Sequence, residues 1–134
     1  MRPARAAVLL VAPLSLLLVA CAPEVVRRPA QLTPVTGQSE SAIEVLQDAS
    51  LSVGPGYQRV IPRGSVWTSV GRTAQGEVFK PVGRVFTVEG THIYEAYLVL
   101  DGDRVVGFYL PVERAFSPPP DGRETKLSIR RRQP

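Results

Sequence analysis

The sequence predicts a mainly β protein, a small antiparallel barrel or sandwich of five to six strands preceded by one short helix. The chain has 134 residues, and its 13 prolines and 11 glycines divide much of it into short segments. Six of these segments are rich in Val, Ile, Phe, Tyr and Thr, and their connections are too short for the crossovers of a parallel sheet. One cysteine and one histidine exclude an internal disulfide and the usual closed zinc site, so we expect no metal and no other cofactor.

The N-terminus has the pattern of an export signal. Arg2 and Arg5 precede an apolar run over residues 8–20, VLLVAPLSLLLVA. This run is 13 residues long and contains Pro13, whereas a transmembrane helix needs about 20 apolar residues. We therefore expect residues 1–20 to be a signal peptide rather than a permanent membrane span.

The end of this run, Leu18-Val19-Ala20-Cys21, resembles the lipobox of bacterial lipoproteins. In that family the chain is cut before the cysteine, the thiol receives a diacylglycerol and the new amino group is acylated with a chain such as palmitate. The resemblance implies a mature protein that begins at Cys21 and is anchored to a membrane by its lipid. Ala22, in place of an Asp, implies the outer membrane, with the domain facing the periplasm. The alternatives are cleavage at another small residue, which leaves Cys21 as a free thiol, and an anchor that is never cut.

Charge argues against nucleic acid as a partner. The full chain has a formal charge of +4, but removal of residues 1–20 leaves 14 basic and 12 acidic residues, or +2. Nucleic-acid binding relies on concentrated positive charge. An exported protein with so small an excess is not expected to bind DNA or RNA.

Residues 22–37 predict an extended tether between the lipid and the folded domain. Pro23, Pro29 and Pro34 are spread through this segment, and its apolar residues have no sustained period. At about 3.1 Å per residue, such a tether would hold a domain of residues 38–116 up to roughly 50 Å from the membrane. The alternative is an ordinary linker with no defined reach.

The first element of the domain is predicted to be a short helix over residues 41–50. Ser41 and Glu44 have the spacing of a capping box, in which each side chain satisfies a free backbone amide. Ile43 and Leu46 then recur at helical spacing. A helix this short needs support from the rest of the domain.

Six strands are predicted to follow a Gly-Pro-Gly turn at residues 54–56. Each is a short run of β-branched and aromatic residues that Gly or Pro separates from the next. The predicted strands cover residues 57–61, 65–70, 77–80, 84–89, 92–100 and 104–110.

The last two strands predict a hairpin around residues 101–103, whose sequence is DGD. A three-residue loop would pair Leu98 with Val106. A two-residue turn at the start of this segment would pair Leu98 with Val105 instead. Both registers place apolar side chains opposite each other, so the sequence does not choose between them.

Residues 117–134 predict a proline-rich and basic tail. Consecutive prolines within 117–122 cannot continue a central strand, although residues 126–129 have the character of a short edge strand. Residues 130–132 are three arginines. They would contact anionic lipid heads or an acidic partner, or they would remain solvated.

Candidate catalytic groups are few. His92, near Glu89 and Glu95, is the one histidine available for proton transfer. Asp101 and Asp103 flank a glycine at a turn, where Asp is favoured for local backbone bonding and the tip is solvated rather than enclosed, so this pair is not expected to form an active site. The sequence also lacks a P-loop and a GxGxxG motif. We therefore expect no enzyme and assign no catalytic residue, with histidine chemistry at His92 as the alternative.

Candidate binding residues are aromatic. Trp67 lies on one face of its predicted strand, and either the chain itself covers that face or a partner does. Tyr94, Tyr97 and Tyr109 lie in the predicted hairpin, and those that point away from the core would extend the same patch. Arg63 is a candidate rim contact at a strand end.

These features predict a function that depends on location. We expect an outer-membrane lipoprotein that acts as a non-catalytic binding or accessory module and docks onto another envelope protein. The alternative is a periplasmic lipoprotein that binds a small ligand or inhibits a hydrolase. A ligand binder would contain an apolar cavity of a few hundred cubic ångströms, because that is the usual size of a small-molecule site.

Overall fold

The computed structural model describes residues 2–4, 24–36 and 41–132. Cys21 and nearly all of the predicted signal peptide therefore lie outside the described residues. No helix in the described ranges has the length and apolarity that crossing a membrane requires.

The described residues form fourteen strands and no helix. This confirms a mainly β protein, with more strands than the five to six expected. The strands are β1 (Arg28–Pro29), β2 (Thr33–Pro34), β3 (Ala42–Val45), β4 (Ala49–Gly54), β5 (Tyr57–Ile61), β6 (Val66–Arg72), β7 (Glu77–Pro81), β8 (Thr87–Glu89), β9 (Ile93–Glu95), β10 (Tyr97–Asp101), β11 (Arg104–Leu110), β12 (Ala115–Ser117), β13 (Thr125–Lys126) and β14 (Ile129–Arg132).

The strands form one large antiparallel sheet and two separate hairpins. The large sheet follows the order β1-β12-β11-β10-β7-β6-β3-β14, with β13 paired to β11 and β2 paired to β6. The hairpins are β4–β5 and β8–β9. Within the described residues, the end strands β1 and β14 do not pair with each other, so the sheet is not the closed barrel that was one of the two expected forms.

The predicted helix over residues 41–50 is wrong, because this segment contains β3 and the start of β4. Ile43 and Val45 are buried, whereas Ala42 and Glu44 between them are partly exposed, which is the two-residue alternation of a strand. β3 lies between β6 and β14, and these neighbours satisfy its backbone groups. Pairing with distant strands therefore overrides the local capping pattern.

The main core lies between one face of the large sheet and the two hairpins. Three aromatic rings occupy its centre: Phe86 contacts Trp67 edge-on at 5.6 Å and stacks on Phe108 at 5.9 Å between ring centroids. Leu51 of β4 and Val88 of β8 are buried in the same cluster. The hairpins thus cover apolar side chains that a single sheet would leave exposed.

Residues 24–36 do not form the predicted free tether: Val25 is buried in the main core, and residues 28–34 cross the other face of the sheet. β1 pairs with β12, β2 pairs with β6, and Ala30 and Leu32 between them cover a second apolar cluster. The buried members of that cluster are Val78, Val99, Tyr109 and Phe116. We call residues 24–36 the strap.

The strap requires the sheet to bend strongly. Six strand-to-strand steps lead from β2 through β6, β7, β10, β11 and β12 to β1, a path of roughly 29 Å at about 4.8 Å per step. Pro29 of β1 and Thr33 of β2 are only four residues apart, so these two strands can be separated by at most about 14 Å. Bulges in β6 and β11 supply part of the bend, since an extra residue bends a strand and increases its twist.

The β10–β11 hairpin is confirmed, but neither expected register is correct. Leu98 faces Phe108, not Val105 or Val106. The turn begins one residue later than the two-residue prediction, at Gly102, and a bulge adds one residue to β11. The predicted strand over residues 92–100 is in fact two strands, β9 and β10.

The predicted tail also contributes to the fold. β13 and β14 lie within residues 117–134 and pair with β11 and β3. Leu127, between them, is buried in the main core. The folded body therefore extends beyond the predicted domain of residues 38–116 at both ends.

Candidate functional site

Trp67 is buried and does not form part of an exposed patch. Only 1% of Trp67 is exposed, and its indole N–H donates to Ser65 Oγ at 3.2 Å. Tyr94 is buried in the same main core, whereas Tyr109 is buried in the cluster beneath the strap. The chain itself covers these aromatic rings, and for Trp67 this is one of the two outcomes that the sequence leaves open.

Tyr97 and Arg63 remain accessible to solvent. Tyr97 is half-buried, with its ring centroid 6.5 Å from that of Tyr109 and the Lys80 ammonium over its face at 5.8 Å. Arg63 is exposed after β5, and its backbone N–H donates to Asp48 Oδ1 at 2.7 Å. Among the predicted binding residues, the structure places Tyr97 next to Tyr109, and it buries Trp67 and Tyr94 in one core cluster.

Three arginines near the C-terminus bind carboxylates of the molecule's own sheet. Arg130 donates to Glu44 Oε2 at 2.9 Å, and Arg132 forms a second ion pair with the same carboxylate. Hydrogen bonds from Arg130 and Arg132 hold the pKa of Glu44 below its ordinary value. Arg131 contacts Glu77 Oε1 at 3.0 Å. The predicted basic tail is thus part of a sheet edge.

The groups considered for catalysis lie on the surface. His92 is exposed and meets the Tyr94 ring edge-on at 6.3 Å between centroids. Asp101 is exposed beside the turn between β10 and β11. Among the described residues, no group of three or more His, Cys, Asp and Glu side chains is arranged to hold a metal ion.

β5 has an exposed strand edge. In the described part of the chain β5 pairs with β4 alone, and its first four residues are exposed. Tyr57 is 51% exposed and Val60 is 62% exposed. A strand edge presents a row of backbone N–H and C=O groups to which an extended peptide can pair.

Contacts with β8 hold this edge in place. The Arg59 guanidinium forms an ion pair with Glu89 and donates to Thr87 Oγ1 at 3.2 Å. Gly54 lies so close to the carbonyl oxygen of Glu89 that a Cβ at this position would overlap it. The β4–β5 hairpin is therefore fixed against the body, and its outer edge is preorganised for pairing.

A small apolar cavity lies next to this hairpin. It has a volume of about 320 Å³. Val25 and Val26 of the strap form one wall, and Pro55 of the β4–β5 turn forms another. Three consecutive prolines, Pro118, Pro119 and Pro120, complete the apolar lining.

Comparisons of this chain with protein-family models, with curated proteins and with solved structures found no match. A functional proposal therefore rests on the leader pattern and on the geometry of the folded body. Sequence reasoning predicted β5 with its observed bounds but did not identify its edge as a site. The strand order that exposes this edge depends on β3 and β4, and the predicted helix over residues 41–50 covers β3 and the start of β4.

Proposed function

We propose that this protein is an outer-membrane lipoprotein that acts as a non-catalytic binding module of an envelope assembly. Its lipid is attached at Cys21, and its docking site is the edge of β5. The partner is another envelope protein that contributes an extended segment as an additional strand. The observation that carries this proposal is the exposure of β5 along its first four residues, with pairing on one side only.

The chemistry of β5 defines the segment that fits it. Backbone hydrogen bonds along an added strand provide affinity that depends little on sequence, and alternate side chains provide specificity. Val60 presents an exposed β-branched side chain, which favours an apolar residue on the partner. Tyr57 adds an aromatic ring at the start of the strand.

Metabolic labelling with a fatty-acid analogue tests the anchor. We expect the wild-type chain to incorporate the label and Cys21→Ser to incorporate none, because Cys21 is the chain's single thiol. Continued incorporation in Cys21→Ser would refute lipidation at this position.

Site-directed photo-crosslinking in intact cells tests the docking site. A photoreactive amino acid at Val60 is expected to capture one envelope protein, through a peptide that mass spectrometry maps to an extended segment. The same group at Val82 is the control, because Val82 is 54% exposed and lies outside β5. Equal capture from both positions, or capture only from Val82, would contradict docking at β5.

Binding of the purified partner provides an independent measurement. Val60→Lys places a charge on the edge strand, where charged side chains oppose further pairing. We expect this change to weaken binding about fivefold, since a favourable cross-strand pair is replaced by a solvated charge. Val82→Lys should leave binding unchanged. A Val60→Lys variant that binds like the wild type would contradict the proposed edge contact.

One observation favours a second candidate function, the binding of a small apolar molecule. The cavity beside the β4–β5 hairpin, at about 320 Å³, is within the size range of small-molecule sites. Solvent extraction of the purified protein followed by mass spectrometry would then yield one apolar compound in stoichiometric amount. An empty extract from protein that still binds its partner would reject this candidate.

A further inference from the structure

We infer that the end of the molecule around this cavity faces the phospholipid surface and that the lipid anchor holds it in one orientation. The contacting surface, which we call the membrane rim, consists of Val26, Pro55, Tyr57, Pro119 and Pro120. The inference rests on the proposed lipid at Cys21. It specifies, in addition, which face of the body meets the membrane.

The chain between the anchor and the body is short. Glu24 is three residues after Cys21 and belongs to the strap, so the two Cα atoms are at most about 11 Å apart. The polar layer of a bilayer leaflet is roughly 5–8 Å thick. A link this short brings Glu24 to the membrane surface, in place of the roughly 50 Å reach expected for a sixteen-residue tether.

The start of the strap is fixed to the body. Val25 is buried in the main core, and Arg28 pairs with Phe116 of β12. The guanidinium of Arg27 lies 5.1 Å from the ring centroid of Tyr94 and 2.8 Å from Glu24 Oε1. Because the start of the strap cannot rotate freely relative to the body, a short link to the lipid sets the orientation of the body as well as its distance from the membrane.

The surface around that point is apolar and partly exposed. Val26 is 61% exposed although it is apolar, and Pro55 and Pro120 are also exposed. Val26, Pro55 and both prolines of the membrane rim line the same cavity, so they form one contiguous surface. The Tyr57 ring lies beside Gly54, which lines that cavity. Tyrosine is enriched at membrane interfaces because it has an apolar ring and a polar hydroxyl.

Positive charge flanks the membrane rim. Arg27 and Arg28 follow Val26 directly, and Arg28 is exposed. Cations close to a bilayer are attracted to anionic head groups. Arg131 of β14 donates to the carbonyl oxygen of Gly102 at 3.3 Å, so it lies toward the same end of the sheet. The strap and β14 therefore both place positive charge near this end.

The opposite end of the sheet provides a control position. Ser117, which precedes the prolines, pairs with Phe108 of β11. β13, which follows the prolines, pairs with β11 at Arg104. The prolines therefore lie toward the Gly102 turn, where β11 begins. β7 runs antiparallel to β10, so Val82, which follows β7, lies at the other end. A probe at Val82 should therefore remain far from lipid.

The experiment uses full-length lipidated protein with one added cysteine. Cys21 is the chain's single cysteine and is lipidated under the proposal, so Val26→Cys, Pro120→Cys or Val82→Cys each provides the one free thiol. Each variant is labelled with an environment-sensitive fluorophore and reconstituted into vesicles of phosphatidylethanolamine and phosphatidylglycerol. Some of the lipids carry a nitroxide quencher on the head group. All three substituted residues are at exposed positions, so the fold should tolerate the changes.

We expect the labels at Val26 and Pro120 to be blue-shifted and quenched severalfold more strongly than the label at Val82. Intact-mass analysis of the same sample first establishes whether Cys21 carries lipid, and an unmodified thiol would remove the proposed anchor itself. With lipid present, equal quenching at all three positions would overturn the orientation and leave the anchor standing. A Val26 label shielded from both water and the nitroxide, together with an extractable apolar compound, would assign the cavity to a soluble ligand and also overturn the inference.

Discussion

At the residue scale, Glu44 has the spacing of a helix capping box in the sequence but binds two arginines of β14 in the folded chain. Its carboxylate accepts hydrogen bonds from Arg130 and Arg132, which lowers its pKa. The stability that these contacts provide is present above the ordinary glutamate pKa of about 4.3 and is lost as pH falls through the lower folded-state value.

Glu44→Gln should therefore destabilise the protein at neutral pH and flatten the loss of stability on acidification. Thermal unfolding of both proteins between neutral pH and about pH 3 measures the difference. Glu113→Gln, at an exposed glutamate in the loop after β11, is the matched control. An unchanged acid transition in Glu44→Gln would show that this carboxylate does not contribute.

Trp67 is a core residue, so its substitution is expected to change stability. Trp67→Ala removes the ring that contacts Phe86 and should cost about 3–5 kcal/mol of unfolding free energy. Tyr57→Ala, at an exposed aromatic residue, should cost within about 0.5 kcal/mol. Denaturant titration compares the two variants. A Trp67→Ala protein that is as stable as the wild type but no longer binds its partner would restore Trp67 as a docking residue.

At the scale of elements, β11 and β12 approach each other closely at Gly107. A Cβ at Gly107 would overlap the Phe116 ring and the backbone carbonyl oxygen of Ser117, so Gly107→Ala should destabilise the protein by about 1–3 kcal/mol. Phe116→Leu provides space at this contact, and the cost of Gly107→Ala should be smaller in that background. Denaturant titration of both single variants and the double variant gives the coupling. Strictly additive costs would show that the ring is not what excludes a side chain at Gly107.

The elements that local sequence could predict are those with turn residues at their ends. β5 and β11 have their predicted bounds, since glycine-containing turns bound short runs of β-branched and aromatic residues. Residues 41–50 were predicted as a helix because capping-box spacing and strand alternation coexist in so short a segment. Only pairing with β6 and β14 decides between them.

The strap and the docking edge depend on contacts between distant parts of the chain. Residues 22–37 have the composition of an extended segment, but their attachment to β12 and β6 follows from registers that no local pattern contains. For the same reason, the sequence did not reveal that β5 would have an open edge. The sequence likewise left open whether the chain itself or a partner covers Trp67. Trp67 packs against Phe86 in the core, so the chain itself covers it.

At the scale of the whole molecule, the C-terminal strands are predicted to be necessary for the fold. Removal of residues 125–134 would delete β13, β14 and the buried Leu127. We expect this truncation to prevent cooperative thermal unfolding, because a domain of this size has little stability to spare. Circular dichroism on heating is the measurement. A truncated protein that unfolds cooperatively at the wild-type temperature would show that the body ends before β13.

The proposed docking edge and membrane rim are adjacent. Tyr57 belongs to both, since it is the first residue of β5 and lies beside the cavity at the membrane-facing end. An added strand would therefore begin at the lipid surface and run away from it along β5. This arrangement selects partners that present an extended segment close to the membrane.

Intact-mass analysis of the protein extracted from cell membranes tests the central claim most directly. The account predicts a chain that lacks residues 1–20 and carries three acyl chains on its first residue, two through a thioether-linked diacylglycerol and one on the amino group. A chain that retains its leader, or whose Cys21 is a free thiol, would contradict it.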